Sequence, residues 1–456
     1  MKYFTPALFL AALGLSAPAA AQTTTFQVGA TTVSVTPLAT NLAIPWELVW
    51  GPDNFIWMTE RGGRISRVNP TTGQVLPLLT LPDAAPVGES GLLGMVLHPD
   101  FATAPYLYVV YNYFQGSALR EKLVRYTYAG GVLSSPLILL DGINAAATHS
   151  GSRLLILPDR TLLMTTGDAQ MASEAQNPAS LNGKILRLNL DGTIPANNPI
   201  PGSRLYTLGH RNPQGLVLAA NGKLYSSEHG PNNDDEVNLI EPGRNYGWPN
   251  VEGYCNLPAE QAFCTTNNVR EPLVIWTPTL AVAGLTYYNS PAIPEWQNSL
   301  LMATLKASKL VQLKLNPAGD AIIAQADYLN SFGRLRAVCI SPQGRIYVST
   351  SNQNDQILVL ENRAYQPTSA AATQAAAPLR LWPNPAHHTV TVELPAAPTK
   401  AATAQVYDAV GRLAATGRFA AGQTSMALNL AGLRPGLYVV RTQVGTRQYT
   451  QRLVVE

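Results

Sequence analysis

Along most of this chain, short apolar runs rich in Ile, Val, Leu, Tyr and Thr are introduced by turns of Pro, Asn, Asp and Gly. Turn and run read GPDNFIWMTE at 51, HPDFATAPYLYVVYN at 98, LPDRTLLMTTGD at 157, AANGKLYSSEHG at 219, NSPAIPEWQNSLLMATL at 289 and SPQGRIYVSTSN at 341. A second short run follows each: GRISRVN, KLVRYTY, KILRLNL, DEVNLI, KLVQLKLN and QILVLEN. Runs of this length between turn residues are strands. Units of at least two strands, recurring about every 45–70 residues, have the period of propeller blades, whose radial repetition leaves few strand edges exposed. The pattern predicts an all-β chain with a six-bladed β-propeller over residues 26–362. An ordinary β-sandwich with coincidental turns is the competing reading.

The texture changes after Tyr365. QPTSAAATQAAAP has no periodic apolar face and predicts a linker over 363–378. The alternating runs TVTVEL, AQVYDA, SMALNL, GLYVVRT and YTQRLVVE predict a separate small β-sandwich domain over 379–456. At the other end, MKYFTPALFLAALGLSAPAAAQ carries one Lys, an apolar run and an Ala-x-Ala ending at Ala21. That predicts a signal peptide over 1–21, because the apolar run is too short to cross a bilayer. No transmembrane segment is expected elsewhere, and the mature protein is expected outside the cytoplasm.

Only 13% of residues are charged, against about 25% in an ordinary domain. The net charge of +3 comes without any Lys/Arg-rich run, so no nucleic-acid partner is expected. Export permits disulfides. Of three cysteines, Cys255 and Cys264 bracket NLPAEQAF and can close it, while Cys339, in AVCIS, reads as a buried free thiol. No Cys-x-x-Cys-His occurs, so no c-type haem is expected.

Against so little charge, the acids Asp234, Asp235 and Glu236 stand out in SSEHGPNNDDEVNLI. Among the histidines, His387 and His388 lie in the final domain, and His98 belongs to a repeated Pro-Asp turn and reads as structural. His149 opens THSGSRLLI just before a strand, and Asp168 closes the next strand in LLMTTGDAQ. A hairpin of that length returns the carboxylate to the imidazole, fixing its tautomer and raising its basicity as a general base requires. Spacing alone leaves a catalytic and a structural role equally open. In YTLGHRNPQGL, Arg211 and Asn212 occupy a loop suited to presenting side chains, with His210 reading as a satisfied loop histidine. Lys306 in TLKASKL and Arg334 and Arg336 in GRLRAV add cations near turns of different blades. They are either solvated surface charges or a set converging on one anionic ligand.

LYTLGHRNPQGL, SEHGPNNDDEVNLI, NYGWPNVEGY and GKILRLNLDGTIPANNP closely resemble the soluble quinoprotein glucose dehydrogenases and their aldose sugar and sorbosone dehydrogenase relatives. The resemblance covers nearly the whole predicted propeller. It implies a six-bladed propeller that binds pyrroloquinoline quinone (PQQ) and Ca2+ and oxidises an aldose sugar at C1 to the aldonolactone. By the same resemblance, the carbonyls of Gly230 and Pro231 hold the cofactor's calcium, a reasonable role for carbonyl oxygen. Glu236 and Tyr246 match positions that bind a further calcium, and Asp234 and Asp235 shape the loop. Lys306, Arg334 and Arg336 pair with the cofactor's carboxylates, Arg211 lies near its reactive C5 carbonyl, and Asn212 and Tyr254 belong to the cofactor site. His149, oriented by Asp168, takes the proton of the C1 hydroxyl as hydride moves to the quinone. An unidentified external electron acceptor completes the cycle.

Three departures point to the aldose sugar branch. Glu89, in GESGLLG, stands beside the cofactor where the glucose enzymes carry Gln; Thr148 replaces an acid before the base; and the segment from Tyr254 to Trp276 is short. In the final domain, WPNPAHHTVTVEL, VYDAVGRL and LRPGLYVVR resemble the C-terminal sorting domains of the type IX secretion system. That implies the type IX machinery as a partner and a secreted or cell-surface location. The alternatives are a calcium-dependent lactonase-type propeller hydrolase and a non-catalytic carbohydrate-binding propeller. The hydrolase needs carboxylate and Asn side chains on one metal, with no use for the cation set.

Overall fold

The computed structural model describes residues 23–456 apart from residue 353 and the segments 367–378, 395–396, 409–411 and 445–446. The expected signal peptide and most of the expected linker lie outside the described residues. The chain divides into two compact units, one ending at Tyr365 and the other beginning at Gln366.

In the first unit, every turn read from the sequence joins the first and second strands of an antiparallel sheet, and every second run is that sheet's third strand. Sheet 1 runs through Pro45–Trp50, Ile56–Glu60, Arg64–Val68 and Val75–Thr80. Sheets 2 to 5 repeat the meander from first strands Leu92–Leu97, Gly151–Ile156, Pro213–Leu218 and Val282–Tyr288. Sheet 6 begins at Leu335–Ile340 and is completed by the N-terminal strands Thr31–Leu42 and Thr24–Val28. The first strands touch in order around the ring, the sixth returning to the first. The result is a β-propeller, the class the sequence predicts.

The core lies between neighbouring sheets. Tyr108 and Val110 of sheet 2 pack with Leu154, Leu162 and Leu186 of sheet 3 in one such layer. Tyr288 and Leu301 of sheet 5 pack with Leu335 and Ile346 of sheet 6 in another. A Leu→Ala change in a layer of this kind costs about 2–5 kcal/mol.

One irregularity recurs in all six sheets. Pairing of the first strand with the second slips between Pro45 and Glu47, Leu92 and Met95, Gly151 and Leu154, Pro213 and Gly215, Val282 and Leu285, and Leu335 and Val338. Bulges bend a strand and re-aim its side chains. All of these lie where the chain enters a first strand, at one end of the propeller axis.

The second unit is a small β-sandwich. One sheet holds Arg380–Trp382, Thr389–Glu393 and Ser425–Asn429; the other holds Leu413–Phe419, Ala402–Tyr407, Gly436–Val444 and Arg447–Val455. Val390, Val392, Val406, Phe419, Leu428 and Leu453 fill the space between them. The strands Arg380–Trp382 and Leu413–Phe419 have no counterpart among the runs read from the sequence.

Candidate active site

Loops that join second to third strands, or lead from one sheet into the next, emerge at the bulged end. Glu89, His149, Asp168, Arg211, Asn212, Gly230, Pro231, Lys306 and Arg334 all fall in such loops, and Arg336 falls in the sixth bulge. Tyr246 and Tyr254 come instead from the long connection between the third and fourth strands of sheet 4. That connection reaches the same end, because Tyr246 N donates to the Leu208 carbonyl and Trp248 Nε1 to Asp168.

His149 Nδ1 lies 2.8 Å from Asp168 Oδ1. The Asp168 carboxylate also accepts from Gln170 N at 2.8 Å and from Trp248 Nε1 at 2.9 Å. A carboxylate acceptor fixes Nδ1 as the protonated nitrogen and leaves the Nε2 lone pair free. Asp168 is fully buried, whereas the His149 side chain keeps 18% of its surface exposed. Two backbone features hold the pair. His149 sits at φ 62°, a left-handed conformation held by its surroundings. Gly167 lets the strands close, since a Cβ there would stand 1.8 Å from the His149 carbonyl.

The other propeller histidines near the loops are committed elsewhere. His210 is buried between Thr207 Oγ1 and Glu228, each at 2.8 Å, and stacks on Tyr246. His229 Nε2 donates to the Val282 carbonyl, and desolvation with nearby Arg336 and Arg211 pushes its imidazole down to about 3. His98 Nδ1 accepts from Asp100 N within the Pro-Asp turn.

The cations form a graded set. Arg336 is 5% exposed and donates to Gln214 Oε1 at 3.3 Å, while its Nε has no partner. Burial, with Arg153, Arg334 and Arg61, pushes its guanidinium down to about 10, while Glu89 acts to raise it. Lys306 and Arg334 are exposed at the rim, Lys306 Nζ reaching Thr279 Oγ1 at 3.1 Å. The Arg211 guanidinium lies 5.4 Å above the Trp248 ring and donates to the His229 carbonyl at 3.2 Å. Arg211 Nε and the buried Asn212 Nδ2 also lack partners. Unpaired buried donors of this kind are a liability unless an acceptor binds.

The acidic loop lies against the same region. Asp235 is buried and accepts from Gly230 N at 2.9 Å and Val282 N at 3.3 Å, so it fastens the Gly-Pro turn. Asp234 binds Thr277 Oγ1 at 2.6 Å. Glu236 accepts from Gly253 N and Asn238 Nδ2, and desolvation plus neighbouring Glu228 pushes it up to about 8. Gly230 is required, because a Cβ there would stand 1.8 Å from the Asn233 carbonyl. Glu228, Gly230, Pro231, Glu236 and Tyr246 border a cavity of about 20 Å³, room for one water-sized occupant. Tyr246 Oη donates to the Leu239 carbonyl and accepts from Glu241 N, so its hydroxyl is committed. Tyr254 is partly exposed beside Glu236 and Glu271. Among the described residues no group of three or more His, Cys, Asp or Glu side chains is gathered as a metal centre. The carboxylates of Glu228 and Glu236 and the main-chain carbonyls of the small cavity are oxygen donors of the kind a hard cation takes, with Arg211, His229 and Trp248 also on its border.

Sequence reasoning missed Trp248, Arg61, Gln214 and Glu228. Trp248 lies in the quoted NYGWPNVEGY, Gln214 in LYTLGHRNPQGL and Glu228 in SEHGPNNDDEVNLI, whereas Arg61 is in none of these motifs. Cys255 and Cys264 are joined, and the segment they bracket belongs largely to the helix Pro258–Asn267. Cys339 is buried and free, as expected.

Fold and site together define a β-propeller protein whose bulged end gathers cations beside an imidazole oriented by a carboxylate. Residues 42–359 match the Glucose / Sorbosone dehydrogenase family, and residues 380–456 match the Secretion system C-terminal sorting domain. The chain is 35% identical over 403 residues to quinoprotein glucose dehydrogenase B of Acinetobacter calcoaceticus, covering 69% of this chain and 84% of that protein. It is 31% identical over 355 residues to aldose sugar dehydrogenase YliI of Escherichia coli (strain K12), covering 73% and 94%. The structure of the PQQ-bound form of an aldose sugar dehydrogenase from Streptomyces coelicolor matches with a TM-score of 0.63 at 33% identity, over 72% of this chain and 98% of that one. This chain belongs to the glucose/sorbosone dehydrogenase family and carries a secretion system C-terminal sorting domain.

Proposed function

We propose that this protein is a PQQ- and calcium-dependent dehydrogenase that oxidises aldose sugars at C1 to aldonolactones. The observation that carries this reading is Arg336: a buried guanidinium with an unpartnered Nε, with Arg61, Arg334 and Glu89 acting on it. Such a cluster fits a tricarboxylate better than a sugar alone, and it has no place in a metal-only hydrolase. When bound, the ortho-quinone supplies the two-electron acceptor for the hydride leaving C1.

The chain's residues divide the remaining work. Lys306, Arg334 and Arg336 would hold the carboxylates of the cofactor, with Arg211, Asn212, Glu89 and Tyr254 at its edges. The carbonyls of Gly230 and Pro231 would hold its calcium, and Glu236 with Tyr246 a further one. His149 Nε2 accepts the proton of the C1 hydroxyl, and Asp168 stabilises the imidazolium that forms. A positioned base of this kind contributes about 10²–10⁴-fold. Arg211 offers positive charge where negative charge grows, an electrostatic contribution made before the reaction begins. Glu89 faces Arg61 and Arg336, so its charge is met by cations. An external electron acceptor is needed for turnover, and the sorting domain supports export by type IX secretion.

The test is dye reduction by the purified chain over a panel of aldoses, with the quinone and calcium added and then with excess chelator after full metal removal. Activity that needs both additions is expected. Equal activity in chelator, or none with any aldose, would overturn the reading.

A further inference from the structure

The propeller axis has a second mouth. From the bulges to the opposite end, the six first strands surround an axial channel of about 430 Å³, lined by Leu48, Met95, Leu154, Leu216, Leu285 and Val338 among others. Its volume lies within the ~300–1,000 Å³ range of small-molecule sites, which pair apolar walls with a few placed polar groups. The placed group here is the ion pair of Arg153 and Glu47, side chains 6% and 7% exposed. Arg153 Nη1 bonds Glu47 and its Nε donates to the Gln214 carbonyl at 2.9 Å, but Nη2 is buried and has no partner. Glu47 is better provided, accepting from Arg153 and from Leu48 N. One donor is therefore left over beside the channel.

Trp46 lies against a guanidinium of this channel and one of the candidate active site. The Arg153 guanidinium lies 4.3 Å from its ring centroid and Arg336 lies 5.8 Å from it. The channel and the acidic-loop cavity share no lining residue.

We infer that this channel is a second binding site, for an uncharged molecule with an apolar body and one hydrogen-bond-accepting oxygen, such as a cyclic ketone. Charge selects against ions: an anion drawn to Arg153 meets the Glu47 carboxylate, and a cation drawn to Glu47 meets the guanidinium. The unpartnered Nη2 donates, so the ligand must accept. Apolar walls favour a hydrocarbon body, which on binding expels water from a space that would hold on the order of a dozen molecules. Because the mouth is at the far end, the ligand binds without displacing the sugar.

The probe is 1-tetralone, a neutral bicyclic ketone, titrated calorimetrically into the full chain with neither quinone nor sugar present. Tetralin, which lacks the carbonyl, and the Thr286→Trp variant, which fills the channel wall, are the comparisons. Saturable binding of one tetralone per chain is expected, at least about tenfold weaker for tetralin, the loss of one hydrogen bond to a charged donor. Thr286→Trp should abolish binding while keeping the wild-type unfolding transition. No saturable binding, equal affinity for tetralin, or binding that survives Thr286→Trp would each overturn the assignment. A failed sugar assay leaves this result untouched, since no cofactor enters it.

Discussion

The two ends of the propeller axis are held by opposite kinds of loop. At the far end, turns carry short-range bonds of their own beside a few longer ones, such as Arg187 to Asp159. Asp53 Oδ1 accepts from Phe55 N and Trp57 Nε1, Asp159 from Thr161 N, and Asn221 from Lys223 N, all within four residues. At the bulged end, partners come from distant parts of the chain. Trp248 reaches Asp168 across 80 residues, Gln214 reaches Arg336 across 122, and Ile44 N reaches Asp355 across 311. Short-range bonds of this kind hold each turn from within its own sheet. Loops that exist only through one another can be shaped to a ligand, and they carry the candidate site.

If that division holds, damage at the bulged end should change activity, and damage at the far end should change only stability. The largest effect is expected for His149→Ala, a fall in kcat of about 10²–10⁴-fold with quinone affinity largely kept. Parallel kcat and quinone-binding measurements check it, and near-normal kcat would move the base elsewhere.

Next comes Glu121, buried beneath the His149 loop. It accepts from Ser152 Oγ at 2.8 Å, its second oxygen has no partner, and burial pushes it up to about 8. Its folded pKa lies above the ordinary 4.5, so the folded state binds the proton more tightly between the two values. This contribution is present at acid pH and is lost as pH rises towards about 8. Glu121→Gln should flatten the decline, which denaturant unfolding at pH 5 and 8.5 would reveal; an unchanged slope would exclude this residue as its source.

Trp248→Phe removes one donor to Asp168 and should lower kcat by about tenfold, near 1.4 kcal/mol, with quinone affinity unchanged. At the far end, Asn221→Ala should reduce unfolding stability by about 1 kcal/mol and leave kcat alone. A kcat change there would break the comparison. Smallest of all, truncation after Arg363 should leave kcat and quinone affinity within about threefold, under about 0.7 kcal/mol. In the native host the same truncation should hold the protein in the periplasm, and its appearance at the cell surface would separate export from the final domain.

The same contrast explains which elements are legible in the amino-acid sequence. Second and third strands are legible because a Pro/Asp/Gly turn announces each pair. First strands such as LRAVCI and LLGMVL are not: they are buried on both faces, so they lack the alternation that marks a half-exposed strand. The slip in pairing that opens each of them erases the register further. In the candidate site, His149 and Asp168 are legible because one hairpin joins them. Trp248, Gln214 and Arg61 are not, because they meet the site only through the closed ring. The cation set is visible as residues, but which of its members is buried and unpaired is a property of the fold alone.

The central claim is that the bulged end holds a quinone poised to oxidise an aldose. It is tested most directly by titrating PQQ into metal-free protein under anaerobic conditions, with and without calcium, and then adding aldose while following the absorbance of the oxidised quinone. The account predicts one quinone bound per chain when calcium is present, and loss of the oxidised absorbance on adding sugar. A chain that binds no quinone, or whose bound quinone stays oxidised with every aldose tried, would contradict it.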